Sequence, residues 1–178
     1  LYQGHKVVWW WAQGGTALSA GEVGEGYRDT DDPAVTIRFA VADADKERFG
    51  LAGQDLSLLI WTTTPWTLSS NCAIAAGANV EYAIVKTPKG GGHEFLILAK
   101  AVVERYFKEG EYEIADTFLG DALLGVSYEP VFRYDTPTAV DGGPAEKYWQ
   151  VILGDFVDIE TGAGLVHIAP AFGEDDYR

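Results

Sequence analysis

The segment from Leu56 to Thr63 constrains the fold more than any other, because it is apolar at first, then β-branched, and stops just before a proline. A continuous apolar run of this length is typical of an inner β-strand that is buried on both faces. Thr64 precedes Pro65 and is therefore biased toward extended backbone. The sequence thus predicts a central strand that ends in a defined corner.

Further short segments of β-type surround this strand. Val35, Ile37 and Phe39 alternate with polar residues, and the letters PKGGG separate two other apolar runs as a hairpin tip would. The predicted additional strands are 32–41, 81–87, 93–98, 139–140, 148–153 and 165–168. Many short strands with few helices predict a mostly β domain of the α+β type with a β-barrel-like core.

Two helices are predicted. Val102, Val103, Tyr106 and Phe107 fall on one helical face before Gly110, which is the clearest helix pattern in the chain. Ser19 and Glu22 have the spacing of a capping box, but the glycines that follow reduce the expected helix to a single turn.

Length and charge limit the classes of protein that remain. At 178 residues, positions 1–178 fit one domain with a real core, and the absence of methionine indicates a piece of a longer protein. No apolar run is long enough for a membrane helix, so we expect a cytoplasmic location. The net charge of -14 argues against a freestanding nucleic-acid binder, because affinity for phosphates comes mainly from lysine and arginine.

The common catalytic patterns are missing from the sequence. There is no G-x-S-x-G elbow, no P-loop and no dinucleotide fingerprint. One cysteine, Cys72, with three scattered histidines does not make a metal cluster, and no neighbour would lower the pKa of its thiol. His5 and His93 are better explained as surface or structural residues.

The predicted corner gathers hydroxyl groups in an unusual density. Thr62, Thr63, Thr64 and Thr67 carry short, stiff side chains whose hydroxyls both donate and accept hydrogen bonds. Such groups can line a small polar pocket rigidly, although threonine is also simply common in strands. The flanking tryptophans, Trp61 and Trp66, are more typical of a core than of a ligand platform.

A second unusual stretch, GAGLVHIAPAFGEDDY, lies near the C-terminus. Its glycines allow a close backbone approach before a short strand that carries His167. Glu174, Asp175 and Asp176 follow Gly173, a pattern typical of a helix N-terminus. A carboxylate of this group that pointed into a pocket would instead bind a cation such as the ammonium of an amino acid.

Together these stretches resemble the editing insertion of isoleucyl-tRNA synthetases. WTTTPWTLSSN and GAGLVHIAPAFGEDDY are similar to its Thr-rich strand and its G-T-G-x-V-H-x-A-P-A-x-G-x-D-D motif. HKVVWWWAQGGTALSAGEVGEGY resembles its entry segment, and GDALLGVSYEPVF follows its G-x-x-L-x-G-x-x-Y-x-P-x-F pattern. Valyl and leucyl relatives typically have T-T-R-P-E-T or T-T-R-P-D-T in place of TTTPWT. The chain departs from the family pattern at Ala163, at Ser69 and in WAQGG.

The resemblance implies proofreading hydrolysis of Val-tRNA(Ile), and also of valyl-adenylate. It implies that Asp176 binds the α-ammonium of the misattached valine and that His167 excludes the larger isoleucine side chain. The same resemblance gives a set of residues that line the ester or its rim: Trp61, Thr62, Thr63, Thr64, Thr67 and Asn71. Discrimination against valine by a synthetic site is worth only about 1 to 3 kcal/mol, so a second, smaller site is needed.

The resemblance also implies the partners. These are the 3' end of tRNA(Ile) carrying valine and the rest of the parent synthetase. No cofactor is expected in this domain, since the H-I-G-H and K-M-S-K-S signatures that serve ATP and magnesium in the parent core are absent from the chain. Two alternatives stay open: an editing domain of a valyl or leucyl relative, and a non-catalytic β-barrel docking module.

Overall fold

The computed structural model describes residues 6–134 and 148–177, in which most of the regular structure is β. The strands are β1 (Trp9–Trp11), β2 (Thr16–Leu18), β3 (Val35–Ala40), β4 (Leu56–Thr62), β5 (Ala73–Ala76), β6 (Glu81–Lys89), β7 (Gly92–Ala99), β8 (Glu113–Leu119), β9 (Gln150–Leu153) and β10 (Leu165–Ile168). The α-helices are α1 (Ala20–Gly24), α2 (Asp43–Lys46), α3 (Val103–Tyr106) and α4 (Glu174–Tyr177). Turns of 3₁₀ helix lie at Glu47–Phe49, Pro65–Ser70, Lys100–Val102 and Gly120–Leu123. The mostly β class is confirmed.

The larger sheet has five strands in the order β3-β4-β7-β6-β8. β4 pairs antiparallel with β3 over residues 57–62 and parallel with β7 over residues 56–58, so it is an inner strand of this sheet. Leu58 and Ile60 of this strand are fully buried, as are Phe39 of β3 and Ile97 of β7. This agrees with the prediction of a central strand, because an apolar run without alternation requires cover on both faces.

The smaller sheet of the core has three strands in the order β10-β5-β9, and β1 and β2 form a separate two-stranded sheet. β5 pairs antiparallel with β10, with His167 opposite Ile74, and parallel with β9. β10 also packs against β4 of the larger sheet. The end of β4 therefore lies beside the strand that carries His167.

The predicted barrel-like core is not a closed barrel. In the part of the chain that the structure describes, β3 and β8 are the edges of the larger sheet and β10 and β9 are the edges of the smaller one. The 3₁₀ turn at Pro65–Ser70 carries the chain from one sheet to the other. Two open sheets thus share the core, and none of the described helices is long and apolar enough to cross a membrane.

Several predicted elements have different bounds in the structure. The helix expected up to Gly110 is only the 3₁₀ turn and α3, because the backbone of Phe107 is extended and its ring contacts Tyr112. β9 starts at Gln150 rather than at residue 148, since Trp149 has a left-handed φ of 57° that strand geometry excludes. The strand predicted at 139–140 lies outside the described residues.

Other predictions agree with the structure, and four strands were not predicted. The capping box of Ser19 and Glu22 is formed at α1, and the hairpin of β6 and β7 turns at glycines with positive φ. No strand was predicted at β1, β2, β5 or β8. β8 is an edge strand exposed over nearly its whole length, so it carries no apolar alternation.

Tyr82 joins the two sheets through its hydroxyl group. The side chain is fully buried, its hydroxyl donates to the carbonyl oxygen of Gly164 at 2.6 Å, and it accepts from the amide of Gly77 at 3.0 Å. Burial raises the pKa of Tyr82 to about 12, so the donor stays protonated. Gly164 has a φ of 75°, and a Cβ there would lie 2.4 Å from that of Ala99. The loop before β10 is therefore held in one position.

Replacement of Tyr82 by phenylalanine tests this connection. Tyr82→Phe keeps the ring but leaves a buried amide and a buried carbonyl without a partner, so we expect a loss of about 2 kcal/mol in the free energy of unfolding. Urea denaturation measures this loss. Tyr27→Phe, at a side chain that is 75% exposed, is the matched control and should change little; equal effects in both variants would contradict the assignment.

Candidate functional site

Two adjoining cavities open between the corner after β4 and the strand β10. The first, of about 340 Å³, is named here the Thr67 cavity, and the second, of about 320 Å³, the Thr63 cavity. Both cavities are lined by four shared residues: Trp61, Thr62, Val166 and Asp176. A larger cavity of about 620 Å³ lies at Lys100 and Tyr112, and none of the predicted site residues lines it.

The threonine corner is ordered by its own hydrogen bonds. Thr62 is the last residue of β4, and its Oγ1 accepts from the backbone amide of Thr64 at 3.1 Å. The hydroxyls of Thr62 and Thr64 are 3.2 Å apart. Pro65 then begins the 3₁₀ turn, since its fixed φ suits the first helical position. Thr62 and Thr64 therefore line the Thr67 cavity from a turn whose backbone is fixed by a local hydrogen bond.

Thr67 connects this corner to β10. It lies one 3₁₀ turn after Thr64, and its hydroxyl is 2.8 Å from the carbonyl oxygen of Thr64. The same hydroxyl is 2.8 Å from Nε2 of His167, which is 100 positions further along the chain. Both side chains are buried. A hydrogen bond in the interior thus joins the two unusual sequence stretches.

His167 is a neutral residue at ordinary pH. Burial lowers the pKa of its imidazole, because the charged form loses hydration, and the nearby carboxylate of Asp176 opposes this shift without reversing it. Its Nδ1 is buried and has no hydrogen-bond partner among the described residues. The ring therefore contributes a rigid, uncharged wall to the Thr67 cavity.

Asp176 stands between the two cavities. It belongs to α4, and its Oδ2 accepts a hydrogen bond of 2.7 Å from the backbone amide of Ala169. A Cβ at Gly173 would lie 2.8 Å from the Cγ of Asp176, so only glycine leaves room for this side chain to turn back toward β10. The acidic residues form the first turn of a helix, as predicted; Asp176 also lines both cavities, and Asp175 lines the Thr63 cavity.

The remaining predicted residues are divided among other positions. Thr63 is exposed and lines the Thr63 cavity, as expected for a side chain that points opposite to Thr62 and Thr64. Trp61 is half-buried and packs on the core while it lines both cavities. The structure thus brings Thr62, Thr64, Thr67, His167 and Asp176 around one cavity.

Asn71 does not line either cavity. Its Oδ1 accepts from the hydroxyl of Tyr128 at 2.6 Å, and its Nδ2 donates to the carbonyl oxygen of Ala73 at 2.9 Å. The side chain is buried. Asn71 therefore supports the end of the 3₁₀ turn, and the structure does not place it at the rim where the resemblance had put it.

Trp66 lines the site, although the sequence analysis favoured a core position for it. Its side chain is 58% exposed and lines the Thr67 cavity together with Phe172, which is 56% exposed. The expectation that Trp66 belongs to the core is therefore wrong. The 3₁₀ turn directs Thr67 and Leu68 inward and leaves Trp66 outward; no pattern in the sequence marks this orientation.

The other reactive side chains are placed as expected. Burial raises the pKa of the Cys72 thiol, which leaves it protonated, and His93 is exposed beside the hairpin turn. His5 lies outside the described residues. In residues 6–134 and 148–177, no group of histidine, cysteine or carboxylate side chains could hold a metal ion.

Comparisons with known sequences identify relatives over the whole chain, while no profile of a known protein family matches it. The chain is 42% identical over 176 residues to an isoleucine–tRNA ligase of Clostridium acetobutylicum, covering 99% of the chain. It is 42% identical over 178 residues to that of Chlamydia caviae and 40% identical over 178 residues to that of Bacillus thuringiensis. The chain spans about 15% of the length of these relatives.

Solved structures resemble the fold at low sequence identity. A chain described as GlLeuRS-CP1 has a TM-score of 0.64 at 16% identity, covering 82% of this chain and 57% of that one. The editing domain of a Plasmodium knowlesi cytosolic leucyl-tRNA synthetase has a TM-score of 0.60 at 11% identity, covering 81% and 60%. The fold is therefore that of an aminoacyl-tRNA synthetase editing domain. By sequence, the chain belongs to the isoleucyl-tRNA synthetase family and corresponds to a segment of those ligases.

The buried imidazole makes a testable contribution to stability. Because the folded state lowers the pKa of His167, the unfolded chain takes up the proton first as the pH falls below about 6.5. This part of the stability is complete above that pH and is lost as the pH falls through the folded pKa. Between about pH 7.5 and about pH 5, urea unfolding should therefore show a steeper decline for the original chain than for His167→Gln.

The control for this prediction is His93→Gln. His93 is exposed, and its replacement should leave the decline with pH unchanged. If His167→Gln and the original chain lose stability in parallel, the imidazole is not held neutral by burial.

Proposed function

We propose that residues 1–178 are the editing domain of an isoleucyl-tRNA synthetase and that this domain hydrolyses Val-tRNA(Ile). The observation that carries the proposal is the Thr67 cavity, where hydroxyl groups of the β4 corner and the carboxylate of Asp176 line the same space. The proposal includes valyl-adenylate as a further substrate, because both molecules present the same aminoacyl group.

The cavity offers a site for each polar part of an aminoacyl ester. The carboxylate of Asp176 would bind the α-ammonium by a charge-assisted hydrogen bond. The hydroxyls of Thr62 and Thr64 would orient the ester and a water molecule. Since these side chains are already held by hydrogen bonds within the corner, little ordering is left for the moment of reaction.

The reaction is a hydrolysis without a covalent enzyme intermediate. Water adds to the ester carbonyl, the bond from the carbonyl carbon to the ribose oxygen breaks, and that oxygen takes up a proton as the 3'-terminal adenosine leaves. Free valine is the other product. We assign no general base to this chain, and the neighbouring free ribose hydroxyl would help to activate the water. No cofactor takes part in this step.

Selection against isoleucine would be steric. Steric overlap of an extra methylene with a rigid wall costs more free energy than an open pocket gains by contacting that methylene, because close-packed atoms cannot overlap. His167 is buried, neutral and bonded to Thr67, so it would act as that wall. The flexible 3' end of the tRNA would enter from the side of Trp66 and Phe172, which are exposed at this cavity.

The negative charge of the chain indicates that other parts of the parent synthetase bind most of the tRNA. With a net charge of -14, the domain repels the phosphate backbone. We therefore propose that the remainder of a longer synthetase contributes most of the affinity for tRNA(Ile), as well as the ATP and magnesium chemistry of aminoacylation. The isolated domain is expected to hydrolyse its substrate slowly.

Deacylation assays separate this proposal from the alternatives. The 178-residue chain is incubated with Val-tRNA(Ile), Thr-tRNA(Val), norvalyl-tRNA(Leu) and Ile-tRNA(Ile), and release of the amino acid is followed. Preferred release of valine supports the proposal. Preference for threonine or norvaline would assign the domain to a valyl or leucyl relative, and no release from any tRNA would favour a docking module.

Removal of the charge at position 176 tests the ammonium site. Asp176→Asn keeps an acceptor for the amide of Ala169 but removes the negative charge, so kcat/KM for Val-tRNA(Ile) should fall roughly tenfold to a hundredfold. Asp116→Asn is a matched control, because Asp116 also accepts from a backbone amide but lies on the edge strand β8. Full activity of Asp176→Asn would refute the role.

Removal of the imidazole tests the steric wall. His167→Ala should open the cavity to isoleucine, so that Ile-tRNA(Ile) is hydrolysed within about tenfold of the rate for Val-tRNA(Ile). His93→Ala, at an exposed position on β7, should keep the original selectivity. An unchanged ratio of the two rates in His167→Ala would remove His167 from the discrimination.

A further inference from the structure

The hydroxyl group of Thr67 meets more groups than it can donate to. Its Oγ1 lies 2.8 Å from the carbonyl oxygen of Thr64 and 2.8 Å from Nε2 of His167, with the hydroxyl of Thr64 at the longer distance of 3.4 Å. A threonine hydroxyl has one proton and two lone pairs. The carbonyl oxygen can only accept, so the position of the threonine proton decides the state of the imidazole.

A neutral imidazole has two tautomers, and the number of hydrogen bonds that each can make favours one of them. If His167 carries its proton on Nε2, that N–H donates to Thr67 Oγ1 and the threonine donates to Thr64, which makes two hydrogen bonds. If the proton is on Nδ1, Thr67 donates to Nε2, the bond to Thr64 is lost, and a buried N–H on Nδ1 has no acceptor among the described residues. Buried orphan donors are rarer in proteins than orphan acceptors.

The nearby carboxylate of Asp176 does not change the number of hydrogen bonds in either tautomer. Asp176 influences the ring electrostatically, but its Oδ2 accepts from the amide of Ala169 and no hydrogen bond joins it to His167. Burial keeps the ring neutral at ordinary pH by lowering the pKa of His167. The ring must therefore occupy one tautomer or the other.

We propose that Thr67 is a positioning residue that holds neutral His167 in the tautomer with its proton on Nε2, so that Nδ1 is a buried acceptor. The arrangement Thr64 O, Thr67 Oγ1 and His167 Nε2 is a directed chain in which each proton is already used. One additional hydrogen bond favours this tautomer by roughly fivefold to tenfold.

A consequence follows for the proposed function, on which this step rests. Thr67 has no proton left for an aminoacyl ester, although the resemblance placed it with the other threonines around the ester. The hydroxyls that can reach a ligand are then those of Thr62 and Thr64. Thr67 contributes to the site through the orientation of the imidazole.

Nuclear magnetic resonance tests the tautomer directly and without a substrate. The chain contains three histidines, so long-range ¹H–¹⁵N correlations of the ¹⁵N-labelled 178-residue chain at neutral pH give three ring patterns, assigned with His5→Gln and His93→Gln. We expect His167 to show a protonated Nε2 and an unprotonated Nδ1. A protonated Nδ1 or an even mixture of the two tautomers would overturn the proposal.

Substitutions at Thr67 test whether this residue sets the tautomer. Thr67→Val removes the acceptor and should shift His167 to a mixture of tautomers, whereas Thr67→Ser keeps the hydroxyl and should restore the Nε2 form. Thr117→Val, on the exposed edge strand β8, is the matched control and should show the original pattern. If Thr67→Val does not fold, Thr67→Ala is measured in its place, and an unchanged tautomer in the folded variant would refute the role of Thr67.

Kinetics then separate positioning from a direct contact. In Thr67→Val, the ratio of kcat/KM for Val-tRNA(Ile) over Ile-tRNA(Ile) should fall about tenfold, and Thr67→Ser should restore it. An unchanged ratio together with a changed tautomer would overturn the consequence for selectivity. Since the spectra need no tRNA, failure of the proposed function would leave the tautomer result standing, and the reverse also holds.

Discussion

The hydrogen bond between Thr67 and His167 is the contact on which the rest of the site depends. It joins the corner after β4 to the strand β10 at 2.8 Å across 100 positions of sequence, and both side chains are buried. The corner belongs to the larger sheet and β10 to the smaller one. The cavity between them keeps a fixed shape only if the two sheets keep a fixed relative position. This buried hydrogen bond helps to fix that position where the walls of the cavity meet.

The charges of His167 and Asp176 are set by burial and by hydrogen bonding. The imidazole is kept neutral by burial, whereas the carboxylate of Asp176 is only partly buried and is stabilised by the amide of Ala169. Gly173 makes room for that carboxylate, because any side chain there would collide with it. The Thr67 cavity thus has one negative side chain, Asp176, beside an uncharged imidazole.

Local patterns predicted the elements that carry the site but not the directions of all their side chains. The apolar run before Pro65 was sufficient for the central strand, and the bounds of β10 agree with the prediction, since both are buried segments with strong β preference. Trp66, Asn71 and Phe107 were misjudged. Trp66 and Asn71 lie in or at the end of a 3₁₀ turn, and Phe107 has an extended backbone. These local geometries depend on contacts from distant segments.

The sequence by itself determined the family, the mostly β class and the two stretches that contribute to the cavity, because motif spacing and hydrophobic pattern are local properties. Only the tertiary structure decided that Thr63 and Thr64 line different cavities, that Asn71 supports the turn, and that Thr67 contacts the imidazole. These outcomes depend on how two open sheets pack and on how a limited number of protons is shared among buried acceptors, and neither can be read from neighbouring residues along the chain.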